Sequence, residues 1–87
     1  MNPTIANRQP AKVKKPVAVG KHLIADPRVC HGELTFRGTR VPVETILIRL
    51  GKGRSVESIL QSWPELTRTA IEEAATLAAG LLAKHFK

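Results

Sequence analysis

Few residues in this chain have the types and the spacing that catalysis or metal binding requires. Cys30 lies beside His31, and a thiol next to an imidazole is a pair that both nucleophilic catalysis and zinc sites use. A zinc site needs about four ligands, however, and the other histidines, His22 and His85, show no paired spacing with it. Neighbouring side chains in a turn also point in different directions. We therefore assign Cys30 and His31 to the packing of a turn.

The acidic residues form no catalytic pair either. Glu72 and Glu73 are consecutive and fall on the polar side of a predicted helix, where carboxylates usually face solvent. A hydrolase would need convergent carboxylates, or a nucleophile together with its base. The sequence therefore predicts a protein that is not an enzyme, with no catalytic residue, no metal and no cofactor.

The arginines offer a binding chemistry instead. Arg37-Gly38-Thr39-Arg40 places two guanidinium groups and a hydroxyl around a glycine, directly before a predicted helix. Such donors could hold a phosphate or a carboxylate of a partner. In a purely structural interpretation Gly38 takes a positive φ, Thr39 bonds the local backbone and one arginine pairs with an acid such as Glu44. The sequence leaves both interpretations open.

The formal net charge of +7 is unevenly distributed. Residues 1–22 carry five basic residues and no acid, residues 23–83 carry seven of each sign, and residues 84–87 add two lysines. Because the excess lies outside the predicted folded body, it favours a polyanionic partner, either a nucleic-acid backbone or an acidic protein surface. The alternative is a segment that only improves solubility. The candidate anion-binding residues of this basic arm are Lys12, Lys14, Lys15 and Lys21.

Two amphipathic helices joined by a tight corner organise the second half of the chain. Ser55 is a good N-cap for the first helix, whose apolar positions fall at i, i+3, i+4 and i+7. Pro64 ends that helix, and Thr67 can cap the next one, which extends to about Ala83. This is the layout of a helix-turn-helix. The two apolar stripes are Val56, Ile59, Leu60 and Trp63, then Ile71, Ala74, Ala75, Ala78 and Leu82.

A third helix and a small hairpin complete the predicted domain. The same spacing of apolar residues predicts a helix from about Pro42 to Leu50, which Gly51 or Gly53 ends. Residues 22–25 and 33–36 are short strand candidates, joined by a turn in which His31-Gly32 tolerates a positive φ. We predict a mainly α fold: a homeodomain-like three-helix helix-turn-helix domain with a short N-terminal β-hairpin.

The predicted organisation is a flexible basic arm (residues 1–19), one domain (20–83) and a basic tail (84–87). A domain of this size buries a modest share of its surface, which favours a partner chain or self-association. No apolar run approaches the roughly 18 residues of a membrane span, no apolar signal-peptide core is present, and the single cysteine suits a reducing compartment. We expect a cytoplasmic protein that does not contact a membrane.

Several short motifs between Leu23 and Ala79 form a recognisable set. They are Ile24-Ala25-Asp26-Pro27, Cys30-His31-Gly32, Gly38-Thr39-Arg40-Val41-Pro42-Val43, Gly53, Ser55-Val56-Glu57-Ser58-Ile59-Leu60, Trp63-Pro64-Glu65-Leu66-Thr67 and Ala74-Ala75. With these motifs the chain resembles the bacterial family called domain of unknown function 433 (DUF433). One departure is His31, at a position where members often have a second glycine.

The resemblance implies a helix-turn-helix protein, because members are regarded as homeodomain-like. Many members resemble VapB-type antitoxins, which are encoded beside a small ribonuclease-like toxin of the PIN-like class. The resemblance therefore implies a small antitoxin that masks a toxin and binds its own operator.

The last helix carries both DNA-reading and partner-binding candidates. In a DNA-bound helix-turn-helix, N-terminal residues of the last helix meet base edges, while surrounding cations hold phosphates. Ala70, Leu77 and Leu81 widen the apolar face of this helix beyond what a small core covers, so Leu77 and Leu81 are predicted to contact a second copy or a toxin. The DNA-binding candidates are Arg37, Thr39, Arg40, Arg54, Thr67, Arg68 and Thr69.

The sequence thus leads to a functional hypothesis with two alternatives. The hypothesis is an antitoxin of a type II toxin-antitoxin pair, a homodimer that neutralises a PIN-like ribonuclease toxin and binds operator DNA for autoregulation. The first alternative is a stand-alone DNA-binding transcriptional regulator. The second is a protein-interaction adaptor that does not bind DNA.

Overall fold

The structure is a computed structural model that describes residues 14–86. Three short strands precede three helices along the chain. The strands are β1 (Val17–Val19), β2 (Leu23–Ala25) and β3 (Leu34–Phe36), with a 3-10 turn at Cys30–Gly32 before β3. The helices are α1 (Val43–Gly51), α2 (Val56–Ser62) and α3 (Arg68–His85).

The sheet has three antiparallel strands in the order β1-β2-β3, one more than the predicted hairpin. Strands β2 and β3 form that hairpin, with Ile24 opposite Thr35. Strand β1 pairs with the other edge of β2, with Ala18 opposite Ile24. The assignment of Val17–Val19 to a flexible arm is therefore wrong, because a three-residue strand is too short to show an alternating pattern. The rest of the predicted arm up to residue 13, including Lys12, lies outside the described residues.

Three consecutive residues in the 3-10 turn have positive φ angles. They are +49° at Cys30, +57° at His31 and +88° at Gly32. The sequence predicted a positive φ at the His31-Gly32 pair, and the structure confirms it. His31 thus adopts a conformation in which glycine has no steric cost. Members of the family that this chain resembles often have a glycine at this position.

Both predicted helix caps are present. Ser55 Oγ accepts from the Ser58 backbone N–H at 3.1 Å, and Thr67 Oγ1 accepts from the Ala70 N–H at 3.1 Å. Helix α1 begins at Val43, with Pro42 at its N-cap and not at its first helical position. Helix α3 extends to His85, two residues beyond the predicted end, and no described helix combines the length and apolarity needed to cross a membrane.

The core lies where the sheet meets all three helices. The sheet supplies Leu23 and Phe36, and each helix supplies one fully buried isoleucine: Ile46, Ile59 and Ile71. Thr35 is also fully buried, and its hydroxyl donates to the Ile24 carbonyl at 3.4 Å. The predicted arrangement of three helices with a small N-terminal sheet is confirmed.

Candidate anion-binding corner and partner surface

Three exposed cations lie in two connections of the chain that meet at one end of the sheet. Lys21 is in the turn between β1 and β2, while Arg37 and Arg40 lie in the connection from β3 to α1. Arg37 joins the two segments, since its backbone N–H donates to the His22 carbonyl at 2.7 Å and its Nε donates to the Lys21 carbonyl at 3.2 Å. We call Lys21, Arg37 and Arg40 the basic corner. Within residues 14–86, no carboxylate forms an ion pair with any of the three.

The backbone of the basic corner is fixed by Gly38 and Thr39. Gly38 has a φ of +80°, the left-handed conformation in which glycine has no steric cost. The Thr39 hydroxyl donates to the Phe36 carbonyl at 2.8 Å and accepts from the Val41 N–H at 3.0 Å. Both features match the structural interpretation, so Thr39 is already engaged within the fold. The expected pair of an arginine with Glu44 does not form among the described residues, which leaves the Arg40 guanidinium and the two Nη groups of Arg37 available.

Two shallow grooves border the basic corner. One, of about 160 Å³, separates it from the connection between α2 and α3, and Lys21, Arg37 and Glu65 line its polar rim. The other, of about 420 Å³, is lined by both arginines and by Asp26. Each groove therefore offers cations to an anionic group and has one carboxylate at its border.

Arg54, a DNA-binding candidate, lies just before α2 and forms hydrogen bonds with residues of that helix. Its Nε and Nη2 donate to Ser58 Oγ at 3.0 and 2.7 Å, and Nη2 also donates to the Ser58 carbonyl and to Ser62 Oγ at 2.9 and 2.8 Å. The guanidinium carbon lies 5.7 Å from the centroid of the Trp63 ring, within cation-π range. This side chain therefore braces the helix, and few of its donors remain for a ligand.

The start of α3 is similarly occupied. Arg68 forms an ion pair with Glu57 of α2 and lies 4.0 Å from Glu72 one turn along its own helix. The backbone N–H of Glu57, and secondly Arg68, lower the pKa of the Glu57 carboxyl. Thr67 is engaged as the N-cap, whereas Thr69 is exposed and makes no side-chain hydrogen bond with a described residue. A DNA-reading surface here would present more carboxylates than free cations.

Glu73 does not face solvent as its position on the polar side of the helix predicts. Its carboxylate accepts from the backbone N–H groups of Lys21 at 2.9 Å and His22 at 2.8 Å, and His22 Nδ1 lies 3.0 Å away. The Lys21 N–H, with help from His22, lowers the pKa of Glu73 below its ordinary value. Glu73 thus fastens the β1–β2 turn, and with it the basic corner, to α3.

Gly20 makes this fastening possible. Its φ is +62°, and a Cβ at this position would lie 2.5 Å from Glu73 Oε2. Any side chain would therefore push the carboxylate away from the turn. The only sequence signal was the presence of a glycine next to the first strand, because Gly20 and Glu73 are far apart in the chain.

The C-terminal half of α3 extends beyond the core. Leu77 is 36% exposed, and exposure rises to 64% at Leu81, 61% at Leu82 and 82% at Phe86. Leu82 lies on the predicted apolar stripe of α3, but no described element reaches far enough along the helix to cover it. We call residues 77–86 the α3 overhang. It contains both predicted interface residues, Leu77 and Leu81.

Three of the four lysines proposed to bind anions lie within the described residues, and these three do not form one cluster. Lys14 and Lys15 are exposed and precede β1, whereas Lys21 follows β1. These lysines therefore lie at opposite ends of the strand, and only Lys21 joins the two arginines. Cys30 makes a weak contact of 3.5 Å from its Sγ to the Arg40 carbonyl, and no three His, Cys, Asp or Glu residues within 14–86 are placed to hold a metal.

Comparisons with known proteins identify a family but no activity. The uncharacterized protein y4eO of Sinorhizobium fredii is 37% identical to this chain over 54 residues, which cover 62% of this chain and 24% of the relative. The chain thus corresponds to about a quarter of that protein. No solved structure matches the sequence of this chain. The family model described as "Protein of unknown function (DUF433)" matches residues 24–78, more than half of the sequence, and the chain therefore belongs to the DUF433 family.

Proposed function

We propose that this protein is the antitoxin of a type II toxin-antitoxin pair. As a homodimer, it binds and neutralises a PIN-like ribonuclease toxin and binds operator DNA to regulate its own synthesis. The observation that carries the proposal is the basic corner, where Lys21, Arg37 and Arg40 are exposed and paired with no described carboxylate. The resemblance to VapB-type antitoxins supplies the class of partner.

The chemistry of the basic corner suits an acidic pocket. PIN-like toxins resemble metal-dependent ribonucleases whose active-site pocket is acidic. A guanidinium group presents several donors in a fixed plane and can bond a carboxylate through two of them at once. The backbone around Arg37 and Arg40 is held by Gly38, Thr39 and the bond to His22, so little backbone entropy is lost when a partner binds. Arg37 or Arg40 could therefore replace the metal charge in such a pocket.

Operator binding uses the same surface in this proposal. Phosphates are held by cations that are free to approach them, and such contacts carry most of the nonspecific affinity for DNA. Arg54 and Arg68 already make intramolecular contacts, so we assign the phosphate contacts to the basic corner and to Lys14 and Lys15. Thr69 is exposed in the first turn of α3 and makes no side-chain hydrogen bond with a described residue, so we assign it the contact with a base edge.

The test is to mix the purified protein with the product of the adjacent reading frame. We expect a stable complex and a loss of ribonuclease activity. Arg40→Ala should weaken the complex, while Lys52→Ala, which removes an exposed cation at the end of α1, should leave it unchanged. If no complex forms and ribonuclease activity is unaffected, the antitoxin proposal fails.

A stand-alone DNA-binding regulator is the second candidate, favoured by the three-helix arrangement with a capped α3. It predicts strongly salt-dependent binding to duplex DNA without any toxin partner. A pure interaction adaptor predicts no DNA affinity even at low salt. Binding measurements with the adjacent gene product and with duplex DNA together separate all three functions.

A further inference from the structure

The α3 overhang continues the face that the core covers. At 3.6 residues per turn, Ala78, Leu81 and Leu82 fall on the same side of α3 as Ile71 and Ala74. Ile71 and Ala74 are 1% and 2% exposed, whereas Leu81 and Leu82 are 64% and 61% exposed. The buried stripe therefore does not end where the domain ends, and its last turns are left without a cover among residues 14–86.

We propose that a second copy of this chain covers the overhang, with the two α3 helices antiparallel, and that each copy brings its Lys84 to the basic corner of the other. The inference rests on the proposed function, because it gives the homodimer an interface and links that interface to the anion-binding surface. The pairing centres near Ala79, so that Leu77 of one copy packs against Leu81 of the other.

Steric and electrostatic arguments favour the antiparallel direction. The domain core lies on the same face of α3 as the overhang stripe, so a parallel pair would press the two cores against each other. An antiparallel pair places the cores at opposite ends. It also separates the two basic helix ends at Lys84 and His85, which a parallel pair would bring together.

Charge complementarity argues for a second copy over an unrelated apolar partner. Lys84 and Glu73 are eleven positions apart, which puts them within about 20° of each other on the helix. Lys84 and Glu73 therefore lie on the same side of the apolar stripe. In a two-fold antiparallel pair, this side of one helix faces the same side of the other helix. Lys84 of one copy therefore approaches Glu73 of the other. The Glu73 side chain is 22% exposed and already holds the Lys21 turn. The incoming ammonium group would therefore stand beside the basic corner.

The size of the overhang sets the expected strength. Residues 77–86 span about 15 Å of helix. A contact of this length buries less surface than the interfaces of most stable dimers, which bury about 1,200 Å² or more. We therefore expect a reversible dimer with a dissociation constant on the order of micromolar. An anion that contacts the corner and the Lys84 of the other copy would tighten it.

Analytical ultracentrifugation over a range of concentrations tests the interface. The wild-type protein should show reversible dimerisation. Leu81→Asp should weaken it more than tenfold, whereas Thr76→Asp, on the exposed outer face of α3, should not. Circular dichroism must show that both variants are folded, which is expected because neither site is in the core. A wild-type protein that is monomeric at all concentrations, or an unchanged Leu81→Asp dimer, would overturn the proposal.

Disulfide trapping tests the direction. In a Cys30→Ser background, a mixture of Leu77→Cys and Leu81→Cys chains should crosslink faster than either variant alone. Equal or faster crosslinking of the single variants would contradict the antiparallel pairing. Lys84→Glu should weaken both dimerisation and the binding of duplex DNA severalfold, and DNA binding that is unchanged would remove the link to the basic corner.

The outcomes keep this inference separate from the proposed function. A monomer that still neutralises the adjacent gene product refutes the homodimer and its interface but leaves the proposed neutralisation of the toxin intact. A dimer with the predicted variant pattern that binds neither the adjacent product nor DNA supports the interface and refutes the antitoxin proposal.

Discussion

The basic corner and the α2–α3 unit both carry arginines, but they use them differently. Arg54, two residues before α2, bonds Ser58 and Ser62 of that helix, and Arg68 of α3 pairs with Glu57. In the basic corner, Arg37 gives up one nitrogen to the backbone, and Arg40 makes no side-chain bond with a described residue. Arg54 and Arg68 therefore stabilise the helical half of the domain, whereas Arg37 and Arg40 keep guanidinium nitrogens available to a ligand.

This difference changes what a helix-turn-helix layout implies for this protein. The family resemblance and the apolar periodicity both predict that the first turn of α3 contacts the base edges of DNA. Its neighbourhood contains Glu57, Glu65 and Glu72, all exposed. A surface rich in carboxylates repels phosphates unless the carboxylates meet cytosine amino groups. The basic corner avoids that repulsion, and Glu73 ties it firmly to α3.

The largest expected effect comes from breaking the contact between Glu73 of α3 and the turn that carries Lys21. Gly20→Val should destabilise the fold by about 2–3 kcal/mol, because it combines a positive φ with a collision against Glu73. Gly80→Ala is the matched control, since nothing lies near its added Cβ, and replacing a helical glycine should stabilise by up to about 1 kcal/mol. Urea denaturation measures both. Equal stability of the two variants would show that Gly20 is not required.

The next effect separates the two kinds of arginine. Arg54→Ala should lower the free energy of unfolding by about 1–2 kcal/mol, because it removes several hydrogen bonds within α2. Arg40→Ala should change it by less than about 0.5 kcal/mol but should weaken binding of the anionic partner. Denaturation and binding titrations of both variants test this contrast. The comparison breaks if Arg40→Ala destabilises as much as Arg54→Ala.

Acid should loosen the basic corner. The pKa of Glu73 is lowered in the folded state, so its contribution to stability is fully present above its ordinary value of 4.5 and is lost as the pH falls through the lower folded value. Asp26 acts in the same direction, because Arg28 lowers the pKa of its carboxyl. The midpoint of thermal unfolding should therefore fall as the pH drops below about 4.5. Glu73→Gln should be less stable at neutral pH and show a flatter acid dependence.

The smallest effect concerns Arg68. Neutralising about five phosphates predicts a log-log slope near −4 to −5 for duplex binding against salt. Arg68→Ala should change that slope by less than about 1, because the side chain already pairs with Glu57 and Glu72. Replacing both Lys14 and Lys15 with alanine removes two of the proposed phosphate contacts and should flatten the slope by about 2. A larger effect of Arg68→Ala than of this double variant would indicate that α3 makes the DNA contacts.

The sequence was informative where the cause is local. Ser55 and Thr67 cap the helices that follow them, and Gly38 takes a positive φ, because each depends on the few residues around it. The apolar periodicity likewise located all three helices to within two residues at most of their ends.

The missed features depend on contacts between distant segments. Glu73 bonds Lys21 and His22, which lie more than fifty positions away in the chain. The residue pattern of α3 contains no information about such a distant partner. Strand β1 exists because β2 offers it an edge. The apolar stripe on α3 predicted an excess of apolar surface, but periodicity alone does not show at which residue of the stripe the core ends.

The central claim is that the basic corner, and not the start of α3, binds the anionic partner of an antitoxin. Isothermal titration of the adjacent gene product into three proteins tests it most directly: the wild type, Lys21→Ala/Arg40→Ala and Arg68→Ala. We predict tight binding by the wild type and by Arg68→Ala, and binding at least about tenfold weaker, or about 1.4 kcal/mol, for the corner variant. Absence of wild-type binding, or a loss confined to Arg68→Ala, would contradict the claim.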